Sequence, residues 1–331
     1  LAAVSAEAAK VPYGPYIMNG HAPDEGNMHT MHHFATEYQR EQYLNPLLEG
    51  EIRSCFSMTE PEVAGSDPTL IQTTAVEDGD DWVINGHKWF TSGARGASFA
   101  IVIARTDPDA EIPQARNSAF IVDCDSPGFE IVRDIETMSG SHNHCEILYK
   151  DVRVSKANLL GERGGGHKLG QVRLGPARLA HCMRWLGEIE MALEMLIDRA
   201  QQRFAHGSLL SEKQSIQWMM SDSAMELYAS KLMVLHAAYK IENGMEFKQE
   251  VSMAKHHVAN TLWKVCDRAV QVHGALGYSK DSPLSAMLLQ ARWARLADGA
   301  DEVHQMRIAD LLMRAYNDTG SVNAGVGGLP L

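Results

Sequence analysis

The sequence predicts an α+β protein in which helices come first, an antiparallel β region follows, and a long helical region ends the chain. Nine of the twelve prolines fall within residues 12–127, whereas the stretch from Ala177 to Ser282 contains none. A proline inside a helix costs about 3 kcal/mol, so the second half is free to be helical. Between about Cys55 and Val154, short apolar runs are broken by turn residues, which is typical of strands.

The composition is that of a globular protein. Of the 331 residues, 45% are hydrophobic and 22% are charged, which argues against wholesale disorder, and the length corresponds to about two domains. Thirty Lys and Arg stand against 42 Asp and Glu, a net charge of −12, so the chain lacks the basic excess that would neutralise nucleic-acid phosphates. No apolar run approaches the roughly 20 residues of a membrane helix. We therefore expect neither a nucleic-acid partner nor a membrane span.

Cysteines, histidines and the first residue bear on compartment and on metal binding. Five cysteines without any C-x-x-C spacing predict reduced thiols in an intracellular protein. The best histidine cluster is His142-Asn143-His144-Cys145, but a turn capped by polar side chains explains it equally well, and we predict no metal site. Because the chain starts at Leu1 and not at Met, we expect a fragment or a processed product.

The three regions can be given approximate boundaries. Residues 1–53 are predicted to be an incomplete N-terminal helical region, with one or two helices over 31–48. Residues 54–160 form the β region and residues 161–316 the helical bundle. Residues 317–331 are small and Gly-rich, so we expect a frayed tail.

Glycines mark the predicted turns of the β region and its end. Asn85-Gly86 lies between the apolar runs Trp82-Val83-Ile84 and Lys88-Trp89-Phe90-Thr91, which predicts a hairpin with its turn at Asn-Gly. Gly164-Gly165-Gly166 predicts a flexible connector to the helical region, with phosphate binding as the alternative.

The helices of the second half are predicted from apolar spacing. Apolar residues between Leu186 and Ala200 recur at spacings of three and four, as on one helix face. Similar runs predict helices over about 212–243, 247–273 and 301–316. Glycines follow the first two runs, and glycine directly after the last periodic residue is a helix stop.

Two segments of the β region suit a planar ligand. In residues 57–67, Gly65 and Ser66 can present backbone N–H groups to a carbonyl-rich ligand, although a plain loop is the alternative. In residues 88–93, Trp89 lies beside a hydroxyl, although core packing is the alternative for this side chain. Nucleotide-phosphate loops and the serine-hydrolase elbow find no matching motif. A flat aromatic ring together with polar donors is what a flavin site requires.

The two segments resemble known signatures. Thr59-Glu60-Pro61 through Gly65-Ser66-Asp67, and Asn85-Gly86-x-Lys88 before Trp89-x-Thr91, are similar to the motifs of the acyl-CoA dehydrogenase family, and the resemblance extends collinearly over about residues 26–315. It implies N-terminal helices, a middle antiparallel β domain and a C-terminal four-helix bundle. The stretches 22–28 and 54–58 are similar to a branch acting on longer or 4-hydroxylated acyl-CoAs, sometimes fused to a kinase-like domain.

The resemblance implies FAD as cofactor and assigns residues to it. The residues implied to line the flavin are Phe56, Met58, Thr59, Gly65, Ser66, Trp89 and Thr91. Those implied for the adenosine-diphosphate half, reached across a subunit boundary, are Arg203, Gln214 and the stretch Gln271-Val272-His273-Gly274. The family's Arg-x-x-Phe-Gly reads Arg203-Phe204-Ala205-His206-Gly207 here, so His206 takes the aromatic position.

The resemblance also implies a catalytic base and a substrate site. The family's Glu-Gly before the last helix matches Asp298-Gly299, so Asp298 is the predicted base, with a helix N-cap as its alternative. The carboxylate that some members carry before the Arg matching Arg178 is Ala177 here. Substrate contacts are implied for Ser66, Arg178 and Gly299. The resemblance has Arg178 either contact the coenzyme A side or support the base, and a salt bridge within the bundle is its alternative.

The implied reaction is removal of the α-proton of an acyl-CoA thioester and transfer of its β-hydride to the flavin, with an electron-transfer flavoprotein as electron acceptor. A flavin-dependent oxidase or monooxygenase of the same fold and a non-catalytic acyl-CoA binder are the alternatives. We expect a homodimer or homotetramer, located in the cytoplasm of a bacterium or in the mitochondrial matrix or peroxisome of a eukaryote.

Overall fold

The computed structural model describes residues 2–11, 13–140 and 144–326. Contacts divide this part of the chain into two compact units. The sheet unit is Asn19–Ala177, and the helical unit comprises the described residues of 2–18 and 178–326. Of the predicted His142–Cys145 cluster, His142 and Asn143 lie outside the described residues, as do residues 327–331 of the predicted tail.

Helices and strands follow the predicted order. The α-helices are α1 (Ala2–Ala9), α2 (Gly14–Ile17), α3 (Asp24–Phe34), α4 (Glu37–Gln39), α5 (Asn45–Leu48), α6 (Gly166–Gln202), α7 (Gln214–Glu242), α8 (Lys248–His273), α9 (Ala275–Tyr278), α10 (Leu284–Ala294) and α11 (Asp301–Thr319). A π-helical turn, Arg40–Leu44, links α4 and α5, and short 3-10 helices occupy Pro68–Leu70, Ala94–Gly96, Pro113–Ala115, Lys156–Asn158, Leu210–Glu212 and Asn323–Val326. The strands are β1 (Ser54–Ser57), β2 (Thr74–Asp78), β3 (Asp81–Ser92), β4 (Phe99–Arg105), β5 (Asn117–Asp123), β6 (Phe129–Asp134), β7 (His144–Ser155), β8 (Leu159–Leu160), β9 (Phe204–Ala205) and β10 (Ser208–Leu209).

The sheet of the sheet unit is mixed. Its strand order is β6-β7-β3-β2-β4-β5-β8, with β1 added on β4. Most pairs are antiparallel as predicted, but β1 runs parallel to β4, and β2 meets β4 in parallel at Thr74 and Arg105. The purely antiparallel prediction is therefore corrected. Along the chain, β3 comes after β2 and before β4 and runs opposite to β2. The chain therefore reverses twice between β2 and β4, and these two strands run in the same direction.

The predicted hairpin turn at Asn85-Gly86 is wrong. Both residues lie inside the continuous strand β3, and the turn falls at Gly79 and Asp80, between β2 and β3. Asn85 is held in the sheet because its amide donates to Asp151 Oδ1 (3.0 Å) and its side-chain oxygen accepts from the Asp151 backbone N–H (2.8 Å). The pairing with β7 shifts register between Ile84 and Gly86, so the Asn-Gly marks a bulge and not a turn.

The sheet buries apolar side chains on both faces. Along β4, Phe99, Ile101 and Ile103 join a core with side chains of α3 and α5, while the alternating residues join a second core that includes Trp82 and Tyr149. Strand residues point alternately to the two faces, so a strand buried on both faces is apolar throughout. This double burial gives the loop that follows β1 and the bulged segment of β3 a rigid base.

The helical unit has its own core. Leu186, Ile189 and Leu196 of α6 pack with Val258 and Leu262 of α8, together with residues of α7 and α10. The helices predicted over 212–243, 247–273 and 301–316 are present as α7, α8 and α11, and α11 continues to Thr319, three residues into the predicted tail. The glycines 164–166 do not behave as a loose connector, because a Cβ at each of them would lie 2.8 Å from a backbone oxygen.

Candidate active site

A buried ion pair shapes the loop after β1. Lys88 Nζ, at 0% exposure, lies 2.9 Å from Glu60 Oε1 and donates to the Met58 carbonyl at 2.8 Å. The two Glu60 oxygens also accept the backbone N–H groups of Gln72 and Thr73 at 2.7 and 2.8 Å. Lys88 therefore joins the second motif to the first by bonding both a carbonyl and a carboxylate.

The attraction between the Lys88 and Glu60 charges opposes the effect that burial has on the pKa of each group. Burial lowers the pKa of Lys88 to about 8, against the attraction of Glu60. Burial alone would raise the pKa of Glu60, but the Lys88 charge and the hydrogen bonds to this carboxylate bring it below its usual value. We conclude that the pair is ionised at neutral pH and fixes the loop electrostatically.

The two motifs meet through the backbone. The Trp89 N–H donates to the Thr59 carbonyl at 3.0 Å. Trp89 is half-buried, and its indole Nε1 is a buried donor without a hydrogen-bond partner. A small cavity is lined by Met58, Thr59 and Gly65, among others. Gly65 is required there because a Cβ would lie 2.8 Å from Thr59 Cγ2.

The remaining residues predicted to line the flavin differ in exposure. Phe56 is half-buried and Ser66 is exposed. Thr91 is 0% exposed, and its Oγ1 lies 3.2 Å from Ser57 Oγ, which in turn accepts from the Tyr149 hydroxyl at 2.9 Å. Thr91 thus has no surface of its own for a ligand in this structure.

An arginine that the sequence did not single out supports Phe56. The guanidinium carbon of Arg173, on α6, lies 4.1 Å from the centre of the Phe56 ring, and Arg173 Nε donates to Asn27 Oδ1 at 2.9 Å. Asn27 in turn donates to the Cys55 carbonyl. A Cβ at Gly26 would meet the guanidinium at 3.1 Å. The stretch 22–28 therefore fastens β1, and sequence analysis missed Arg173 because it lies 146 residues from Asn27 along the chain.

In the helical unit, Asp298 occupies a strained turn. Its φ is 51°, in the left-handed region, and Gly299 follows with φ 109°. Arg178 Nε donates to the Asp298 carbonyl at 2.8 Å, and Lys255 Nζ donates to the Gly299 carbonyl at 2.7 Å. These bonds hold two consecutive carbonyls and keep a conformation that L-residues adopt at a cost of about 1–3 kcal/mol. The N-cap alternative is wrong, because the N-cap of α11 is Ala300.

The surroundings of this turn are rich in basic groups. His181 Nε2 lies 3.4 Å from Asp298 Oδ2. Burial lowers the pKa of Lys255 to about 8 and also lowers that of Arg178. Burial, with the Arg178 and Lys255 charges, lowers the pKa of His304 to about 3, and His304 Nε2 is buried without a hydrogen-bond partner. Sequence inspection missed Lys255 and His181, since neither is close to Asp298 along the chain.

Of the residues predicted for the adenosine-diphosphate half, Arg203, His206, Gln214, Gln271 and Gly274 are exposed, whereas Val272 is buried and His273 is half-buried. Arg203 and His206 belong to the turn region of β9 and β10, whose pairing places Ser208 opposite Ala205. Gln214 is the first residue of α7, whereas Gln271 and Gly274 lie at the end of α8. The hairpin thus brings Arg203 and His206 together on the surface of the helical unit.

The described residues contain neither a cluster suited to a metal ion nor a helix suited to cross a membrane. Within residues 2–11, 13–140 and 144–326, no group of three or more His, Cys, Asp and Glu side chains is arranged to hold a metal ion. Over the same ranges, none of the helices combines the length and the apolar character needed to cross a membrane.

Comparison with known proteins gives consistent matches. The chain is 46% identical over 301 residues to probable acyl-CoA dehydrogenase FadE2 of Mycobacterium tuberculosis, covering 89% of this chain and 74% of that protein. It is 39% identical to acyl-CoA dehydrogenase family member 11 of Gallus gallus over 93% of this chain, which spans only 41% of that longer relative. A solved structure of a putative acyl-CoA dehydrogenase from Mycobacterium abscessus aligns with a TM-score of 0.91 at 37% identity, covering 95% of this chain and 79% of the other.

Family models match both units. The model for the acyl-CoA dehydrogenase middle domain covers residues 55–152, and that for the C-terminal domain covers residues 164–313. Fold and motif loops therefore place the protein among the flavoprotein oxidoreductases of fatty-acid metabolism. The chain belongs to the acyl-CoA dehydrogenase family, whose members use FAD, and the predicted α+β fold is confirmed.

Proposed function

We propose that this chain is an FAD-dependent acyl-CoA dehydrogenase that introduces an α,β double bond into an acyl-CoA thioester, with Asp298 as the base. The observation that carries the proposal is the turn of Asp298, whose backbone is held in a strained conformation because Arg178 and Lys255 donate to the carbonyls of Asp298 and Gly299. Strain maintained by buried charges is typical of functional positions. The family relationship supplies the reaction class.

The residues of the sheet unit fit a flavin. The unpartnered Trp89 Nε1 is a buried donor that a polar ring edge would satisfy, and the half-buried indole can cover an aromatic face. Phe56, Met58, Thr59, Gly65 and Ser66 complete the proposed lining. Thr91 acts through Ser57 in this proposal, since it is fully buried. FAD, when bound, supplies the acceptor for the β-hydride.

In the proposed mechanism Asp298 takes the α-proton of the substrate at its carboxylate. The bond from Arg178 to the Asp298 carbonyl favours a supporting role for this arginine over contact with coenzyme A. Gly299, with φ 109°, allows the turn to bring the shorter Asp side chain where a Glu is usual in the family. Ser66 and Gly299 stay proposed substrate contacts.

A homodimer or homotetramer is also proposed. Along α7, six large apolar residues that are more than half exposed repeat at spacings of seven, three and four, which leaves a stripe without a cover in the described chain: Trp218, Met225, Tyr228, Leu232, Leu235 and Tyr239. Such a stripe suits packing against another helix.

We propose that the adenosine-diphosphate half of FAD held by a second copy is bound by Arg203, His206, Gln214, Gln271 and Gly274. We also propose that an electron-transfer flavoprotein accepts the electrons.

The decisive experiment replaces the base. Asp298→Asn should retain the yellow FAD but no longer bleach when acyl-CoA is added anaerobically, because an amide cannot take the α-proton. The matched control is Asp310→Asn, which makes the same change of side chain elsewhere on the helical unit, on α11, and should bleach like the parent. Undiminished bleaching of Asp298→Asn would remove Asp298 from the mechanism. The same assay over a series of acyl chain lengths defines the substrate, and steady peroxide formation in air would instead indicate an oxidase.

A further inference from the structure

His181 is held rigidly inside the helical unit. It lies on α6 at 7% exposure, its ring stacks on Trp185 with 5.3 Å between centroids and 22° between planes, and Trp293 of α10 meets it edge-on at 5.5 Å. Two indoles on different helices therefore fix the plane of the imidazole. A ring fixed in this way can direct its two nitrogens but cannot rotate to exchange them.

One nitrogen defines the tautomer. Arg184 NH2 lies 3.1 Å from His181 Nδ1, and a guanidinium can only donate. Nδ1 must therefore accept, so the proton of the neutral ring resides on Nε2. Arg184 also opposes a second proton on the ring, because its own charge and its N–H both favour an unprotonated Nδ1. His181 is thereby kept as a neutral donor at Nε2.

That donor is next to the candidate base. His181 Nε2 lies 3.4 Å from Asp298 Oδ2. We propose that His181 is a positioning residue for Asp298, fixing one carboxylate oxygen through a neutral Nε2–H donor that Arg184 enforces. The proposal rests on the role proposed above for Asp298. A side chain one methylene shorter than Glu has less reach, so the orientation of its carboxylate matters more.

Among the titratable groups around the pair, Glu188 on α6 sets the upper limit of the pH range that can be used, because burial raises its pKa to about 7 and its charge interacts with Arg184. Burial raises the pKa of Cys182 to about 12, while the pKa of His304 lies near 3 and that of Lys255 near 8. Between about pH 4 and pH 6 the titration of Asp298, influenced by its histidine donor, should therefore dominate. The groups around the pair are Arg178, Cys182, Arg184 and Glu188 on α6, Lys255 and His256 on α8, and Asp301 and His304 on α11.

The test is the pH profile of single-turnover flavin reduction by acyl-CoA. A hydrogen bond to a carboxylate stabilises its charged form, so His181→Phe should raise the base pKa and shift the acid limb upward by about one pH unit, with a plateau about tenfold lower. His181→Gln, whose amide can donate from a similar position, should bring the limb back towards the parent value. His236→Phe on α7 is the matched control and should leave the profile unchanged.

The outcomes separate the two proposals. An unchanged acid limb and plateau in His181→Phe, with Asp298→Asn inactive, overturns the role of His181 and leaves the base intact. Bleaching by Asp298→Asn overturns both. A dissociation constant for FAD that stays within about twofold in every variant supports action on the base, whereas a loss of FAD confined to His181→Phe overturns it in favour of a structural role.

A measurement on the unaltered protein guards against a variant that fails to fold. In ¹⁵N spectra of the histidine-labelled chain, the resonance absent from His181→Gln should show a protonated Nε2 and an unprotonated Nδ1 from pH 6 to pH 8. A doubly protonated ring or the opposite tautomer in that range overturns the proposal.

Discussion

Two buried lysines, one in each unit, hold the loops that carry the proposed chemistry, and they do so differently. Lys88 donates to the Met58 carbonyl and pairs with the carboxylate of Glu60, which is only 2% exposed. Lys255 donates to the Gly299 carbonyl at 2.7 Å. Burial lowers the pKa of both lysines to about 8. The pKa of the two lysines is thus lowered to the same value, although Lys88 forms an ion pair with a carboxylate and Lys255 donates to a backbone carbonyl.

The two lysines differ in what they fasten. Lys88 ties the loop after β1 through a carboxylate and a carbonyl, whereas Lys255 ties the Asp298 turn through a carbonyl. Glu60 binds two backbone N–H groups besides Lys88, so the loop after β1 has several fastenings that depend on one another. The turn of Asp298 is fastened through two backbone carbonyls, and its carboxylate lies 3.4 Å from His181 Nε2. A cofactor platform benefits from the first arrangement, and a base that must meet its substrate benefits from the second.

The largest effect is expected from breaking the ion pair. Lys88→Met should lower the free energy of unfolding by about 3–5 kcal/mol, because it leaves the Glu60 carboxylate buried and unpaired. Urea unfolding followed by tryptophan fluorescence measures this. The double variant Lys88→Met with Glu60→Gln removes the stranded charge and should recover part of the loss. A double variant less stable than the single one would contradict the ion-pair interpretation.

Removing the other lysine should cost less. Lys255→Met strands the Gly299 carbonyl but no buried carboxylate partner of the Lys88 kind, so we expect a loss of about 1–3 kcal/mol in the same unfolding experiment. It should also slow flavin bleaching, since the Asp298 turn loses one of its two fastenings. A loss equal to that of Lys88→Met would show that the two lysines are equivalent and would remove the distinction between the units.

Acid should weaken the helical unit through His304. The pKa of His304 is about 3 in the folded chain and 6.5 when unperturbed, so between these values the unfolded chain binds more protons. Stability from this group is complete above pH 6.5 and is lost as pH falls towards 3, at up to about 1.4 kcal/mol per pH unit. His304→Phe should flatten the stability profile between pH 4 and pH 6. An equal slope in both proteins would assign acid sensitivity to other groups.

The smallest effect concerns backbone strain. Asp298→Gly relieves the cost of the left-handed conformation and should raise the free energy of unfolding by less than about 1 kcal/mol. Flavin bleaching should disappear in the same variant, because the carboxylate is gone. Asp151→Gly in the sheet unit is the control with a similar φ of 49°, but it also loses the Asn85 bond and should not gain. Thermal melts of both variants compare them. A clear loss in Asp298→Gly would mean that its side chain stabilises the fold.

Sequence reasoning succeeded where information is local. The long helices α7, α8 and α11 followed from apolar spacing, and the glycines after the first two runs marked the ends of α7 and α8. It failed at Asn85-Gly86, because the bonds from Asn85 to Asp151 come from a strand 66 residues away. The local preference of Asn-Gly for a turn is worth less than two hydrogen bonds within a paired sheet.

The amino-acid order alone determined the fold class and the two motif segments, since those depend on periodicity and on short contiguous patterns, and Asp298 entered as a candidate base through the resemblance of Asp298-Gly299 to the family's Glu-Gly. Tertiary structure alone decided that Arg173 supports Phe56, that Lys255 fastens Gly299 and that His181 lies beside Asp298. These contacts join residues separated by 44 to 117 positions. Such pairs are selected by packing and by the need to satisfy buried charge, and neither leaves a pattern that is readable along the chain.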